Sequence, residues 1–392
     1  MTETVIVSGS RTPIGKFGGG FAEFSGAQLG GFAIQDALAK AKLDPGEVDY
    51  VVMGQVLQAG TGQITARQAA TRAGIPMSIP AITINKVCLS GLNAIALADQ
   101  LIRAGEVARV VAGGMESMTQ APYLAPKLRF GARIGDAELI DSMMYDGLFC
   151  AFDQKSMGLA TDEYNGRYEL SREEQDEFSA RSHQLASKAT ETGRFEDEIV
   201  PVEVPQRKGD PVVITRDEGI RADTTIDSLG KLRPAFAKDG TITAGNASQI
   251  SDGGAAVVVM SAEEAAQRGV EPLATVVAHG MVAGPDASLH EQPANAIKAA
   301  LAKTDLKESD LGLVEINEAF ASVGVVSGRA LNVDLESINP NGGAIALGHP
   351  IGMSGARLVI TLAHELRRRG GGVGAAALCG GGGQGDALII RI

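Results

Sequence analysis

The chain has 392 residues, 44% of them hydrophobic, and 35 Lys and Arg against 47 Asp and Glu give a formal net charge of −12. That length supports two or three domains with cores of their own, and the sign of the charge argues against an electrostatic grip on nucleic acid or an anionic membrane. No apolar run approaches the roughly 18 residues a bilayer span needs, and three scattered cysteines make neither a disulfide framework nor a zinc site.

Along the chain, an apolar strand is expected at once, at Val5-Ile6-Val7, with no room before it for a signal or transit peptide. Reduced thiols and a cytoplasmic setting are the expectation. The C-terminal Leu388-Ile389-Ile390-Arg391-Ile392 carries no lipidation or sorting signal. A helix is expected at Ala33-Ile34-Gln35-Asp36-Ala37-Leu38-Ala39-Lys40, and it returns as Ala296-Ile297-Lys298-Ala299-Ala300-Leu301-Ala302-Lys303. Leu43, Val48 and Val51 return in the same register as Leu306, Leu311 and Val314.

Next comes Ala81-Ile82-Thr83-Ile84, a short strand, then Asn85-Lys86-Val87-Cys88-Leu89, a turn. From Ser90 onward apolar residues recur at helical spacing (Leu92, Ile95, Ala96, Leu101, Ile102) with no proline among them. Cys88 therefore stands where a strand ends and a helix begins. The partial positive charge of a helix N-terminus is expected to favour its thiolate. A lone cysteine is otherwise a small buried hydrophobe, and Cys150, between Leu148-Phe149 and Ala151-Phe152, is read that way.

The repeat continues through this stretch. Ser90-Gly91 returns as Ser354-Gly355 before a second amphipathic helix, and Val110-Val111-Ala112-Gly113-Gly114 matches Ala376-Ala377-Leu378-Cys379-Gly380. Each half closes on a β-rich run after glycine, Gly254 to Met260 and Gly385 to Ile390. Several matches in order at a nearly constant offset mark a duplication. The expected division is an N-terminal half of residues 1–117 plus 246–270, an insert of residues 118–245, and a C-terminal half of residues 271–392. Short apolar strands alternating with helices predict a mostly parallel sheet in each half, covered on both faces. Packed together, the halves would form a five-layer αβαβα core of the α/β class, with reactive groups at the carboxyl ends of strands. In the insert, one helix over 171–190 opens on a capping box, Ser171 with Glu174, and its charge run reads as a solvated face.

Three later segments carry chemistry: Val314-Glu315-Ile316-Asn317-Glu318-Ala319-Phe320, the run Asn339 to Gly352 containing Gly348-His349-Pro350, and Leu378-Cys379-Gly380-Gly381-Gly382-Gly383. Glycines beside His349 and Cys379 let backbone amides come close to a ligand. The His349 loop is the second copy of the Cys88 loop, Gly352 standing where the repeat puts the cysteine. A pseudo-twofold arrangement would bring Cys88 and His349 to one crevice. His183, His279, His290 and His364 match no motif and are read as structural or surface residues.

Asn-Glu-Ala-Phe at residues 317–320, Asn-Gly-Gly-Ala followed by Gly-His-Pro at 341–350, Leu-Cys-Gly-Gly-Gly at 378–382 and Asn-Lys-Val-Cys-Leu-Ser-Gly at 85–91 resemble the thiolase family. The resemblance spans the chain, including Arg11-Thr12-Pro13 and Gly245-Asn246-Ala247-Ser248. Within the family the chain looks like an acetyl-CoA acetyltransferase or a related 3-ketoacyl-CoA thiolase. The resemblance implies ping-pong Claisen condensation and thiolysis through an acyl-enzyme on Cys88, with His349 taking its proton and Cys379 as a second acid and base. Backbone N–H groups of Cys88 and Gly381 would form one oxyanion hole. Asn317, through a water, would form the other with His349. It further implies a coenzyme A site at Arg221, Ser228, Phe236, Ala244 and Ser248, and substrate contacts at Met157, Met281 and Phe320. No metal and no resident cofactor are implied, coenzyme A and its thioesters being substrates. Members are dimers or tetramers. One departure stands out: many acetoacetyl-CoA thiolases carry His-Met-Gly where this chain has Ser156-Met157-Gly158. The competing expectations are a longer-chain 3-ketoacyl-CoA thiolase, a ketoacyl synthase, which lacks the second cysteine, and a non-catalytic acyl-CoA-binding relative. A regulatory Cys88–Cys379 disulfide is the redox alternative.

Overall fold

The computed structural model describes residues 2–392. In the first half the strands lie in the order Ala81–Ile84, Tyr50–Gly54, Arg109–Ser117, Ser251–Ser261, Thr4–Arg11. In the second half Leu311–Ile316, Val373–Gly380, Gln384–Arg391 and Ala274–Ala283 repeat that order, and Ile338 makes a single parallel bridge to Val314 where the first half has a strand. The outer strands of the halves meet, Thr4 to Ile6 running antiparallel to Val276 to Ala274, so the sheet is continuous.

The expected mostly parallel sheet is overturned. Only the flanking strands of each half pair in parallel. The long closing strand is antiparallel to both of its neighbours. In the second half the reason is local. Gly381 to Gly383 is all that separates Val373–Gly380 from Gln384–Arg391, with φ of 77° at Gly382 and 68° at Gly383. A link so short can only reverse the chain, because a parallel return needs a crossover of a dozen residues or more.

Away from the edge strand Ala81–Ile84, the strands of this sheet are largely buried on both faces, and their period of two sorts side chains into separate cores. Ile6, Val52, Val257 and Leu388 point into a central core, while their neighbours Val5, Val51, Val258 and Ile389 point outward into flanking ones. Helices Ser90–Arg103 and Ser354–Arg368 fill the centre and touch each other and both halves of the sheet. Gly26–Ala41 and Thr65–Arg72 cover the outer face of the first half, and Gln292–Leu301 that of the second, with Ala321–Leu331 packed beside it. These are the five layers. Close packing at the centre depends on glycine: a Cβ on Gly355 would lie 2.3 Å from the Leu92 nitrogen, and one on Gly91 2.8 Å from the Gly352 carbonyl oxygen.

Between Arg109–Ser117 and Ser251–Ser261 the chain adds no strand to this sheet. It forms small hairpins and two longer helices, Met157–Asn165 and Arg172–Glu191. The second starts on the Ser171–Glu174 capping box and packs on Ala321–Leu331. Its charge run is not wholly a solvated face: Gln175 and Asp176 are buried, and Asp176 binds Arg172 at 2.7 Å and Asn246 at 3.0 Å. Arg11 is fully buried and ties the insert to the first strand through Glu198 and Asp217, both at 2.7 Å. Among the described residues no helix is long and apolar enough to cross a membrane.

Candidate active site

The turn that presents Cys88 is held by its own side chains. Val87 adopts φ 50°, a conformation costly for a β-branched residue and found where surrounding structure enforces it. Here Asn85 Oδ1 accepts from the Val87 amide at 3.0 Å, and Ser90 Oγ accepts from the Lys86 amide at 2.8 Å while donating to the Val87 carbonyl at 2.6 Å. Lys86 Nζ then reaches across to Asp386 of the second half at 2.7 Å. Cys88 is left half-buried at the head of the helix.

His349 sits in the corresponding loop of the second half, 6% exposed. Its Nδ1 lies 2.6 Å from Ser354 Oγ, whose proton goes to the Pro350 carbonyl at 3.0 Å. Ser354 is therefore the acceptor, Nδ1 carries the hydrogen and Nε2 keeps its lone pair. The Asn317 amide nitrogen, 3.3 Å from Nε2, fits that assignment as donor. Ser354 is the repeat partner of Ser90. Both hydroxyls bond back to a carbonyl of the loop before the helix, and each steadies one reactive loop.

Asn317 follows strand Leu311–Ile316, fully buried, its amide bonded to the Ala377 carbonyl at 3.0 Å. Its Oδ1 is buried without a hydrogen-bond partner among the described residues. Next to it, buried Glu318 accepts from Ser182, Asn339 and the Ile345 amide at 2.6, 2.8 and 3.0 Å, which makes it a strut between loops. Cys379, 1% exposed, ends the strand Val373–Gly380. Gly380 beside it packs so tightly that a Cβ there would lie 2.6 Å from Leu89 of the Cys88 turn.

Cys88, His349 and Cys379 line one cavity of about 60 Å³, with Ser248, Met157, Phe320 and Gly381. Leu148, Leu289 and Ile351, which sequence reasoning did not single out, complete its apolar wall. Phe236 stands behind Phe320, edge to face at 6.4 Å. Arg221, Ser228 and Ala244 lie on the exposed surface of the insert, outside this lining, and Met281 is 53% exposed and also outside it. Ser156 is occupied as the N-cap of Met157–Asn165, its Oγ accepting from the Leu159 amide at 3.3 Å.

The electrostatics reverse one expectation. Burial pushes the Cys88 thiol up to about 12, and the nearby Glu116 carboxylate adds to the rise. The amides of Cys88 and Gly381, which point at the sulfur, pull the other way but do not prevail. Helix Ser90–Arg103 starts only after the cysteine, and desolvation of a thiolate outweighs its partial charge. Burial, with Arg357 next, pushes His349 down to about 3. Burial and then Cys88 push the Cys379 thiol well above the usual thiol range. At rest the site therefore holds two neutral thiols and a neutral imidazole. All three cysteines are free.

Besides the apolar wall of Leu148, Leu289 and Ile351, sequence reasoning missed two polar residues with a bearing on the site, Ser354 and Glu116. The doubled Ser-Gly pair was the available signal for the first. Nothing in the sequence distinguished the second from any strand-end glutamate.

The duplicated halves, the paired helices between them and a cavity ringed by two thiols and an imidazole define the class: a five-layer α/β protein with a site of two cysteines and a histidine between its halves. The family model of the thiolase N-terminal domain matches residues 4–263 and that of the thiolase C-terminal domain residues 270–392. The chain belongs to the thiolase family. A probable acetyl-CoA acetyltransferase of Mycolicibacterium smegmatis is 57% identical over 99% of this chain and 100% of its own length. The acetyl-CoA acetyltransferase of Cupriavidus necator is 48% identical over the full length of both. A crystal structure of the Bacillus anthracis acetyl-CoA acetyltransferase superposes with a TM-score of 0.96 at 41% identity, covering 100% of this chain and 99% of that one.

Proposed function

We propose that the protein is an acetyl-CoA acetyltransferase, joining two acetyl-CoA into acetoacetyl-CoA and free coenzyme A, and running the reverse thiolysis with the same groups. The observation that carries this is Cys88, His349 and Cys379 around a single cavity. In the forward direction Cys88 Sγ attacks the thioester carbonyl as its proton passes to the unprotonated His349 Nε2. The oxyanion is met by the amides of Cys88 and Gly381. Losing one such donor typically costs about 10²–10³ in rate. The departing coenzyme A thiolate takes the proton of Cys379.

Cys379 is then a thiolate, and its high proton affinity suits it to remove a Cα proton from the second acetyl-CoA. The enolate oxygen faces His349 Nε2–H and Asn317. The carbanion attacks the acetyl carbonyl, the bond to Cys88 breaks, and His349 returns its proton to that sulfur. Each residue ends as it began. Charges appear only in pairs, which a buried neutral site favours over isolated ions.

Arg221, Ser228, Phe236, Ala244 and Ser248 are assigned to coenzyme A, and Met157, Met281 and Phe320 to the acyl and pantetheine parts, on the family resemblance. The working form is assigned as a cytoplasmic homo-oligomer, dimer or tetramer, in keeping with the uncovered edge of Ala81–Ile84. One observation favours a second reading, a preference for longer 3-ketoacyl chains. A further cavity of about 470 Å³ shares Val87, Gly147, Met157 and Gly381 with the first.

The test is a spectrophotometric thiolysis assay with coenzyme A and either acetoacetyl-CoA or 3-ketooctanoyl-CoA. Turnover of acetoacetyl-CoA supports the first reading, and faster turnover of the longer substrate the second. Turnover of neither would reduce the protein to a binding role.

A further inference from the structure

Glu116 lies at the end of the strand Arg109–Ser117 and is fully buried, yet among the described residues it makes no ion pair. Its carboxylate instead gathers three backbone amides from both halves of the molecule: Val56 at 2.9 Å, Leu57 at 3.1 Å and Gly352 at 3.0 Å. Gly352 belongs to the loop of His349 and is the repeat counterpart of Cys88. The approach is close enough to exclude a side chain there, since a Cβ on Gly352 would lie 2.9 Å from Glu116 Oε2 and 2.8 Å from the Met115 carbonyl oxygen. On the other side, a Cβ on Gly114 would lie 1.9 Å from the Gly352 carbonyl oxygen. The loop of His349 is thus seated on the end of a first-half strand, and Glu116 is the group that receives it.

The same carboxylate acts on the nucleophile through space, its charge opposing a thiolate at Cys88. The titratable neighbours are Asp252, on the antiparallel strand, and Cys88, with His349 on the loop that Gly352 closes. Burial lifts Glu116 to about 7 in spite of its three amides. It is therefore ionised over the alkaline range in which the Cys88 thiol titrates.

We propose that Glu116 is a positioning residue of the acyl-transfer site, which fixes the His349 loop against the first half and places a negative charge near the nucleophile. This rests on Cys88 being the nucleophile. A carboxylate suits the place because it only accepts, and three donors converge on it. An amide would turn an N–H toward one of them.

The test uses two variants of the full chain, with Cys88 alkylation by iodoacetamide followed by mass spectrometry across pH. E116Q removes the charge and one acceptor. Its alkylation half-point is expected to move down by about one pH unit. Its kcat for thiolysis should fall on the order of tenfold to a hundredfold as the loop shifts, with KM changed less than about twofold because Glu116 does not line the cavity. E116D keeps the charge but shortens its reach, so its half-point should stay near wild type while kcat falls. E116Q with wild-type melting temperature and wild-type half-point overturns the proposal, as does E116D with wild-type kcat. Should E116Q not fold, E116D decides. The alkylation arm needs no substrate, so absence of thiolysis in the wild-type protein would refute the proposed activity and leave this arm readable.

Discussion

In the proposed reaction the two ring nitrogens of His349 have separate tasks, and a single hydroxyl separates them. Ser354 Oγ holds Nδ1–H at 2.6 Å and leaves Nε2 unprotonated, able to take the Cys88 proton in exchange for its contact with Asn317. Ser354→Ala removes that acceptor, so the ring can place its hydrogen on either nitrogen. The expected result is a fall in kcat on the order of tenfold, a part of the 10²–10⁴ that a positioned base contributes, with KM for acetoacetyl-CoA nearly unchanged. Steady-state kinetics check it, and an unchanged kcat would show that Asn317 and the loop alone orient the ring. Cys88, His349, Asn317 and Cys379 could be picked out from the residues because each sits beside glycine or at a strand end in a motif. Ser354 showed only as half of a repeated Ser-Gly pair. Glu116 did not show at all, because what marks it is three amides from residues far away in the chain. The charge state of Cys88 was also illegible: a helix start is visible in sequence, while the desolvation that overrides it belongs to the folded interior.

Among the elements, the two central helices matter most, since their N-terminal ends carry the reactive loops. Their separation is set by glycine. Gly355→Ala would press a methyl against the Leu92 backbone, 2.3 Å away where ordinary contact needs more than 3 Å. Overpacking of this kind costs about 1–3 kcal/mol, and because the helices diverge the acyl-enzyme should form more slowly too. Urea unfolding of G355A against wild type measures the first effect. The control is G230A, whose new methyl meets nothing within 4 Å and should stay within about 0.5 kcal/mol of wild type. Both central helices were legible from apolar spacing, as was the capping box of Arg172–Glu191. Thr65–Arg72 was not, because its buried side is only Thr65, Ala66, Ala69 and Ala70, small residues that give a weak apolar signal. Nor was the direction of the closing strands, for a continuous apolar run reads alike in either orientation.

For the molecule as a whole, burial of ionisable groups ties stability to pH. Burial lowers His183 and His290 to about 4 and His349 to about 3, and lowers His364 as well. The unfolded chain takes up these protons near pH 6.5 and the folded chain does not, so this contribution is lost as pH falls from 6.5 toward 4. Glu116, raised to about 7, Glu315, raised to about 8, and Glu318, also raised, act in the opposite sense. The folded chain keeps protons that the unfolded one releases near 4.5, and their contribution is lost as pH rises through 7 and 8. The melting temperature should peak at about pH 6 and decline on both sides. Scanning fluorimetry across pH checks it, and a melting temperature still rising from pH 6.5 to 8.5 would contradict it. The duplication was readable from the chain alone, and with it the layered fold. What joins the halves was not: Lys86 to Asp386 and Gly352 to Glu116 are pairs that only the folded chain brings together.

The central claim is that one sulfur of the first half carries the acyl group and one of the second moves the proton at Cα. Mass spectrometry of peptides after incubation with acetyl-CoA tests it most directly, on wild type, Cys88→Ala and Cys379→Ser. Acetyl should appear on the Cys88 peptide in wild type, vanish in C88A, and persist without acetoacetyl-CoA production in C379S. Acetylation elsewhere in the chain that survives in C88A, or condensation at the wild-type rate in C379S, would contradict it.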